Sequence, residues 1–134
     1  MSVIILLLSI INLFSPQIKI ENAWMRSANQ GMNAALYFDI KNLTPKDYEL
    51  VNVSSGIAKV VQIHETYKQG ENLGMRKVES ITIKGKTTFH LAPGGFHVMV
   101  IRLKENLKVG DKKEFTLTFR NNEKIRIVAI VKDN

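Results

Sequence analysis

His64, Met75, His97 and Met99 are the residues of this chain whose types and spacing could do chemistry together. They are two of the chain's three histidines and two of its five methionines, and the chain has no cysteine. Two imidazoles and two thioethers form a soft ligand set with no charge of its own. Thioethers select Cu(I), whereas imidazoles alone would also suit zinc, nickel or Cu(II). His97 and Met99 lie two residues apart, so on a strand they share a face with Cα atoms about 6.6 Å apart. His64 and Met75 flank a glycine-containing segment, and a hairpin there would bring them to one end of a sheet. Glu65 could offset the charge of a bound cation or orient His64 through a hydrogen bond.

Each residue also has an ordinary reading. A lone histidine in a β protein is commonly a surface or hydrogen-bonded group, and a lone methionine fills core space. Met99 sits in Val-Met-Val-Ile and would suit a core. His90, between Phe89 and Leu91, has no methionine at matching spacing. Met25 and Met32 read as packing residues.

The elements that must position the four residues are strands. Period-two alternation marks residues 18–24, 34–42, 48–53 and 58–65. Residues 68–74, with two glycines and an asparagine, read as a hairpin loop before a short strand over 75–78. Residues 80–83 form another short apolar–polar segment, and further strands are expected over 87–91, 96–103, 114–119 and 124–131. The 96–103 strand is apolar on both faces and so central. Ala92-Pro93-Gly94-Gly95 is a strong break before it. Asn121-Asn122 reads as a two-residue hairpin turn, because asparagine tolerates positive φ. No helical pattern is sustained. The expectation is all-β: eight or nine short strands in an antiparallel sandwich or barrel.

The 134 residues suggest one domain, and 45% hydrophobic content argues against a disordered chain. Zero cysteines exclude disulfides, thiolate zinc sites, iron–sulfur clusters and the blue-copper ligand set. The formal net charge of +7 comes from scattered lysines rather than a basic stripe interleaved with aromatics. A nucleic-acid partner is therefore not expected, while an acidic protein partner stays open. Residues 1–16 carry an apolar run, Val3 to Phe14, shorter than the about 20 residues a membrane span needs. The run fits a secretory signal or N-terminal anchor, although no basic residue precedes it. A buried first strand or helix is the alternative. Residues 17–134 then form the domain proper. No paired-carboxylate, His-Glu-x-x-His or Ser/His/Asp arrangement appears, so no catalytic residue is assigned and no enzyme is expected.

The spacing of the four residues, with His64-Glu65-Thr66 and Leu91-Ala92-Pro93-Gly94-Gly95-Phe96-His97-Val98-Met99, resembles the periplasmic copper chaperones of the PCuAC type. Ala23-Trp24 with Arg26, and Ala34-Ala35-Leu36-Tyr37-Phe38, resemble that family's N-terminal strands. The likeness covers nearly all of residues 18–132. It implies a cupredoxin-like antiparallel β-sandwich, or Greek-key barrel, with one Cu(I) held by His64, Met75, His97 and Met99. It further implies a monomeric, extracytoplasmic metallochaperone that supplies copper for the CuA centre of cytochrome c oxidase. The acceptor would be an oxidase subunit or a thiol-bearing assembly factor. Residues 71–74 lack the further methionine that relatives often carry, so no spare thioether is expected there; no Met/His-rich tail follows Val131, only Lys132-Asp133-Asn134, so a second, Cu(II) site is not expected. The rival reading is a sandwich-fold binding or adhesion module whose methionines are core.

Overall fold

The computed structural model describes residues 17–133. The proposed export segment, residues 1–16, lies outside the described residues. Ten strands follow in chain order: β1 Ile18–Met25, β2 Ala34–Asn42, β3 Tyr48–Ser54, β4 Ala58–Gln69, β5 Asn72–Lys77, β6 Ile81–Ile83, β7 Thr88–Leu91, β8 Phe96–Leu103, β9 Lys112–Phe119 and β10 Lys124–Val131. The all-β expectation holds, with ten strands in place of eight or nine.

Hydrogen bonds link the strands in the order β5-β4-β8-β2-β1-β10-β9-β3-β6, with β7 also on β2. The pairings are antiparallel except that of β1 with β10, which is parallel. Alternation sends one side of each strand inward. On β2 the buried residues are Ala34, Leu36, Phe38 and Ile40, and the residues between them are more exposed. Phe115, Leu117 and Phe119 do the same on β9, and Ile127, Ala129 and Val131 on β10. Each large side chain withdrawn from water contributes about 1.5–3 kcal/mol.

Two turns differ from their expected form. The loop expected over 68–74 is largely strand: β4 and β5 stay paired until Gln69 meets Asn72, so only Gly70 and Glu71 turn. Gly70 supplies the required positive φ of 63°. The segment looks polar because β5 is an exposed edge strand, whose composition imitates a loop. The β9–β10 turn has three residues, Arg120 to Asn122, between Phe119 and Glu123. Asn122 there has φ 72°, which closes a type I turn with one left-handed residue.

The segment that matters most for the site joins β7 to β8. Leu91 pairs with Phe38, and Val98 pairs with Leu36. On the β2 side residues 92–97 are therefore inserted opposite Tyr37 alone, a large bulge that re-aims the start of β8, while Phe96 and His97 pair with Glu65 and His64 of β4. Within it Gly95 N–H donates to Ala92 O at 3.0 Å, and Gly94 takes φ 89°.

Asn42 secures the opposite end of β2. It is 1% exposed. Its Nδ2 donates to the carbonyls of Lys46 and Ile83 at 2.8 and 3.1 Å. Its Oδ1 accepts from Thr44 N–H and Oγ1–H at 3.0 and 2.8 Å. Truncation would leave several of these buried groups unpaired, at about 1–3 kcal/mol for each. Asn42→Ala is therefore expected to lower unfolding free energy by about 2–4 kcal/mol in urea titration, with the m value unchanged. A loss below about 0.5 kcal/mol would contradict this role.

Candidate metal centre

The pairing of β4 with β8 sets His64 directly opposite His97, and Gln62 opposite Met99. On the other side of β8, Ala35 of β2 faces Met99. In the β4–β5 hairpin Met75 is opposite Thr66, and Lys77 is opposite His64. Side chains alternate, so His64, Met75, His97 and Met99 all project from one face of the sheet. That face is the outer one: Ile63, Val98 and Val100, which neighbour them in sequence, are core. All four residues singled out in the sequence thus share one surface, with the imidazole centroids 5.9 Å apart. Their burial is graded. His97 is 3% exposed, His64 and Met99 are half-buried, and Met75 is 59% exposed. Met75 and Met99 line one open depression together with Ala35 and Tyr37.

Each imidazole has one nitrogen engaged. The Gly95 carbonyl can only accept, so His97 Nδ1–H donates to it, at 3.2 Å. The same carbonyl accepts the Thr66 backbone N–H at 3.0 Å, tying β4 to the bulge. His64 Nε2–H donates to Gln62 Oε1 at 2.9 Å. These bonds fix the tautomers and leave lone pairs on His64 Nδ1 and His97 Nε2. Those two atoms are the buried side-chain nitrogens or oxygens without a hydrogen-bond partner among the described residues. An unpaired buried acceptor costs about 1–3 kcal/mol, and a cation would relieve both. Among the described residues no three His, Asp or Glu side chains group to hold a metal. A cation bound between these imidazoles would therefore complete its shell with the thioethers, which favours a soft ion.

Glu65 does not take the role expected of it. It projects from the other face, where its carboxylate accepts from Arg76 Nε at 2.7 Å. Gln62 orients His64 instead. The two-residue spacing of Gln62 and His64 on a strand is the signal that could have identified it. His90 lies elsewhere, exposed, with Nδ1 2.6 Å from Asp39 Oδ1. Met25 is fully buried as expected, but Met32 is 59% exposed and is not a packing residue.

Residues 18–131 match the LpqE-like lipoprotein family. Lxx21020 of Leifsonia xyli subsp. xyli (strain CTCB07), which carries a lipoprotein name, is 34% identical over 117 residues. That alignment covers 87% of this chain and 70% of that protein. Among solved structures, the copper-bound PCuAC domain from PmoF2 superposes with a TM-score of 0.74 at 28% identity. The match covers 89% of this chain and 95% of that domain. Cu(I)-DR1885 from Deinococcus radiodurans gives 0.67 at 27% identity, covering 86% and 79%.

The surroundings of His64 favour its neutral form. Desolvation depresses its pKa first, and the nearby His97 and Lys77 add repulsion to a second positive charge. The folded state therefore binds a proton at His64 less readily than the unfolded chain does, whose imidazole titrates near about 6.5. This contribution to stability is present above that value and is lost as pH falls towards the depressed folded one. The metal-free protein should thus lose more stability between pH 7.5 and 5 than His64→Gln does, in urea midpoints measured at each pH. Parallel profiles would contradict the assignment.

Proposed function

Because the chain belongs to the LpqE-like family and folds as copper-binding PCuAC domains do, we propose that it is an extracytoplasmic Cu(I) carrier. In this reading one ion per chain is held by His64 Nδ1, His97 Nε2 and the sulfurs of Met75 and Met99. The observation that carries it is the pair of partnerless buried imidazole nitrogens on the same face as two thioethers. The copper-bound state of the PmoF2 domain and the Cu(I) state of DR1885 support the choice of ion. The lipoprotein name shared by the family and by Lxx21020 supports export, with residues 1–16 as signal or anchor.

Delivery follows from the grading of burial. His97 is buried and His64 half-buried, whereas Met75 is open to solvent, so an acceptor's ligand can displace the outer thioether first and the His97 imidazole last. Apart from the proton that a thiol acceptor gives up on binding as thiolate, only bonds to copper are made and broken. The recipient we propose is the CuA centre of cytochrome c oxidase during assembly, reached directly or through a thiol-bearing factor. Both imidazoles must be neutral to bind. The depressed pKa of His64 carries its share of proton competition below the ordinary imidazole range.

The rival reading, a binding or adhesion module with core methionines, requires Met75 to be packed, and its 59% exposure speaks against that. Anaerobic titration against a chromophoric Cu(I) chelator separates the two. The carrier reading expects one equivalent retained. It expects Met75→Ala to weaken binding at least about tenfold, equivalent to about 1.4 kcal/mol, while folding stability changes by about 0.5 kcal/mol or less. A wild-type protein that cannot compete with the chelator, together with a Met75→Ala variant losing about 2–5 kcal/mol of stability, would restore the rival.

A further inference from the structure

We propose that the outer face around Met75 and Met99 is the docking surface for an acidic, thiol-bearing segment of the copper acceptor. This rests on the Cu(I) reading and adds the chemistry of the partner. The centre of the face is apolar and exposed. Leu73 and Met75 on the edge strand β5 are 72% and 59% exposed, and they project beside the depression that Met75 and Met99 line. Four cations surround it. Lys77 is paired across the ladder from His64, and Lys68 from Leu73. Arg26 lines the far end of the depression. Its guanidinium and Lys132 Nζ lie 5.8 and 4.8 Å from the Trp24 ring, which packs against Tyr37 at 4.9 Å with the ring planes tilted by 38°.

None of these four cations is in an ion pair among the described residues. Three of the neighbouring carboxylates are engaged elsewhere, and among the described residues Glu71 and Glu79 pair with none of the four cations. Asp133 accepts from Ser27 Oγ–H and N–H, and Asp39 is held between Asn22 and His90. Glu65 points to the other face and holds Arg76. The proposed ligands are neutral, so bound Cu(I) adds one more positive charge to this surface. A positive face with an apolar, concave centre attracts and orients an anionic partner. The ion at that centre needs soft ligands to leave for, and thiolates supply both softness and negative charge. A lipid surface would satisfy the charge but offers copper no ligand.

The test uses two synthetic acceptor peptides with a common Cys-Gly-Gly-Cys core, one flanked by Asp and Glu and the other by Lys. The protein is first loaded with Cu(I) and its stoichiometry measured. Transfer is then followed by stopped flow at about 20 mM and about 500 mM salt, where screening lengths differ several-fold. The acidic peptide is expected to take copper about tenfold faster at low salt, with the two rates converging at high salt. The double variant Lys68→Glu/Lys132→Glu, which touches none of the proposed ligands, should load one equivalent and lose or invert the preference. Equal rates for the two peptides, or faster transfer to the basic one, with one equivalent loaded would overturn the docking inference and leave the Cu(I) reading standing. Failure to load copper would overturn both. Equal rates accompanied by sedimentation with phosphatidylglycerol vesicles, abolished in the double variant, would reassign the surface to a membrane.

Discussion

The site depends on the register of one strand pair. β4 and β8 are aligned so that His64 faces His97 while Ile63 and Val98 face the core. Side chains alternate strictly along a strand, so a slip of one residue would send His64 inward and bring Ile63 out to water. The hydrophobic pattern therefore specifies the position of the imidazoles as firmly as it specifies the core. Burial of Ile63, Val98 and Val100 holds a polar pair in place on the opposite face without those residues touching it.

Hydrogen bonds then convert position into chemistry. The bulge over residues 92–97 leaves the Gly95 carbonyl free to accept from both the Thr66 backbone and the His97 ring. Gln62 does the equivalent for His64. Each ring has one nitrogen committed as a donor, so the other must present its lone pair. The structure carries two unsatisfied buried acceptors as a result. Natural folds tolerate few such groups, and they concentrate where a ligand completes them. Met75 stands at the other extreme of burial, in solvent on an edge strand. A deep, preorganised half and a loose, exposed half suit an ion that must be held and then released.

Much of this was legible in the residues themselves. The pattern located the strands other than β6 within a few residues, β6 reading only as a short apolar–polar segment, and the His97-x-Met99 spacing placed that pair on one face. What the sequence concealed has physical causes. Residues 68–74 looked like a loop because an edge strand faces water on most sides and carries loop-like composition. Glu65 looked like a partner for His64 because it is adjacent in sequence, yet adjacency on a strand means opposite faces. Gln62 was overlooked for the same reason in reverse. The role of Gly95 could not be read from its side chain, since the group that acts is its carbonyl. The parallel β1–β10 pairing joins strands from the two ends of the domain, and local pattern does not report such contacts.

The central claim is that both imidazoles and both thioethers meet on one ion. Copper K-edge X-ray absorption of the anaerobically loaded protein tests it most directly. The account predicts a Cu(I) edge and a first shell of mixed nitrogen and sulfur scatterers, with the sulfur contribution reduced in Met75→Ala and the nitrogen contribution reduced in His97→Ala. A shell of nitrogen alone, unchanged when either methionine is removed, would contradict it and leave Met75 and Met99 as bystanders on the outer face.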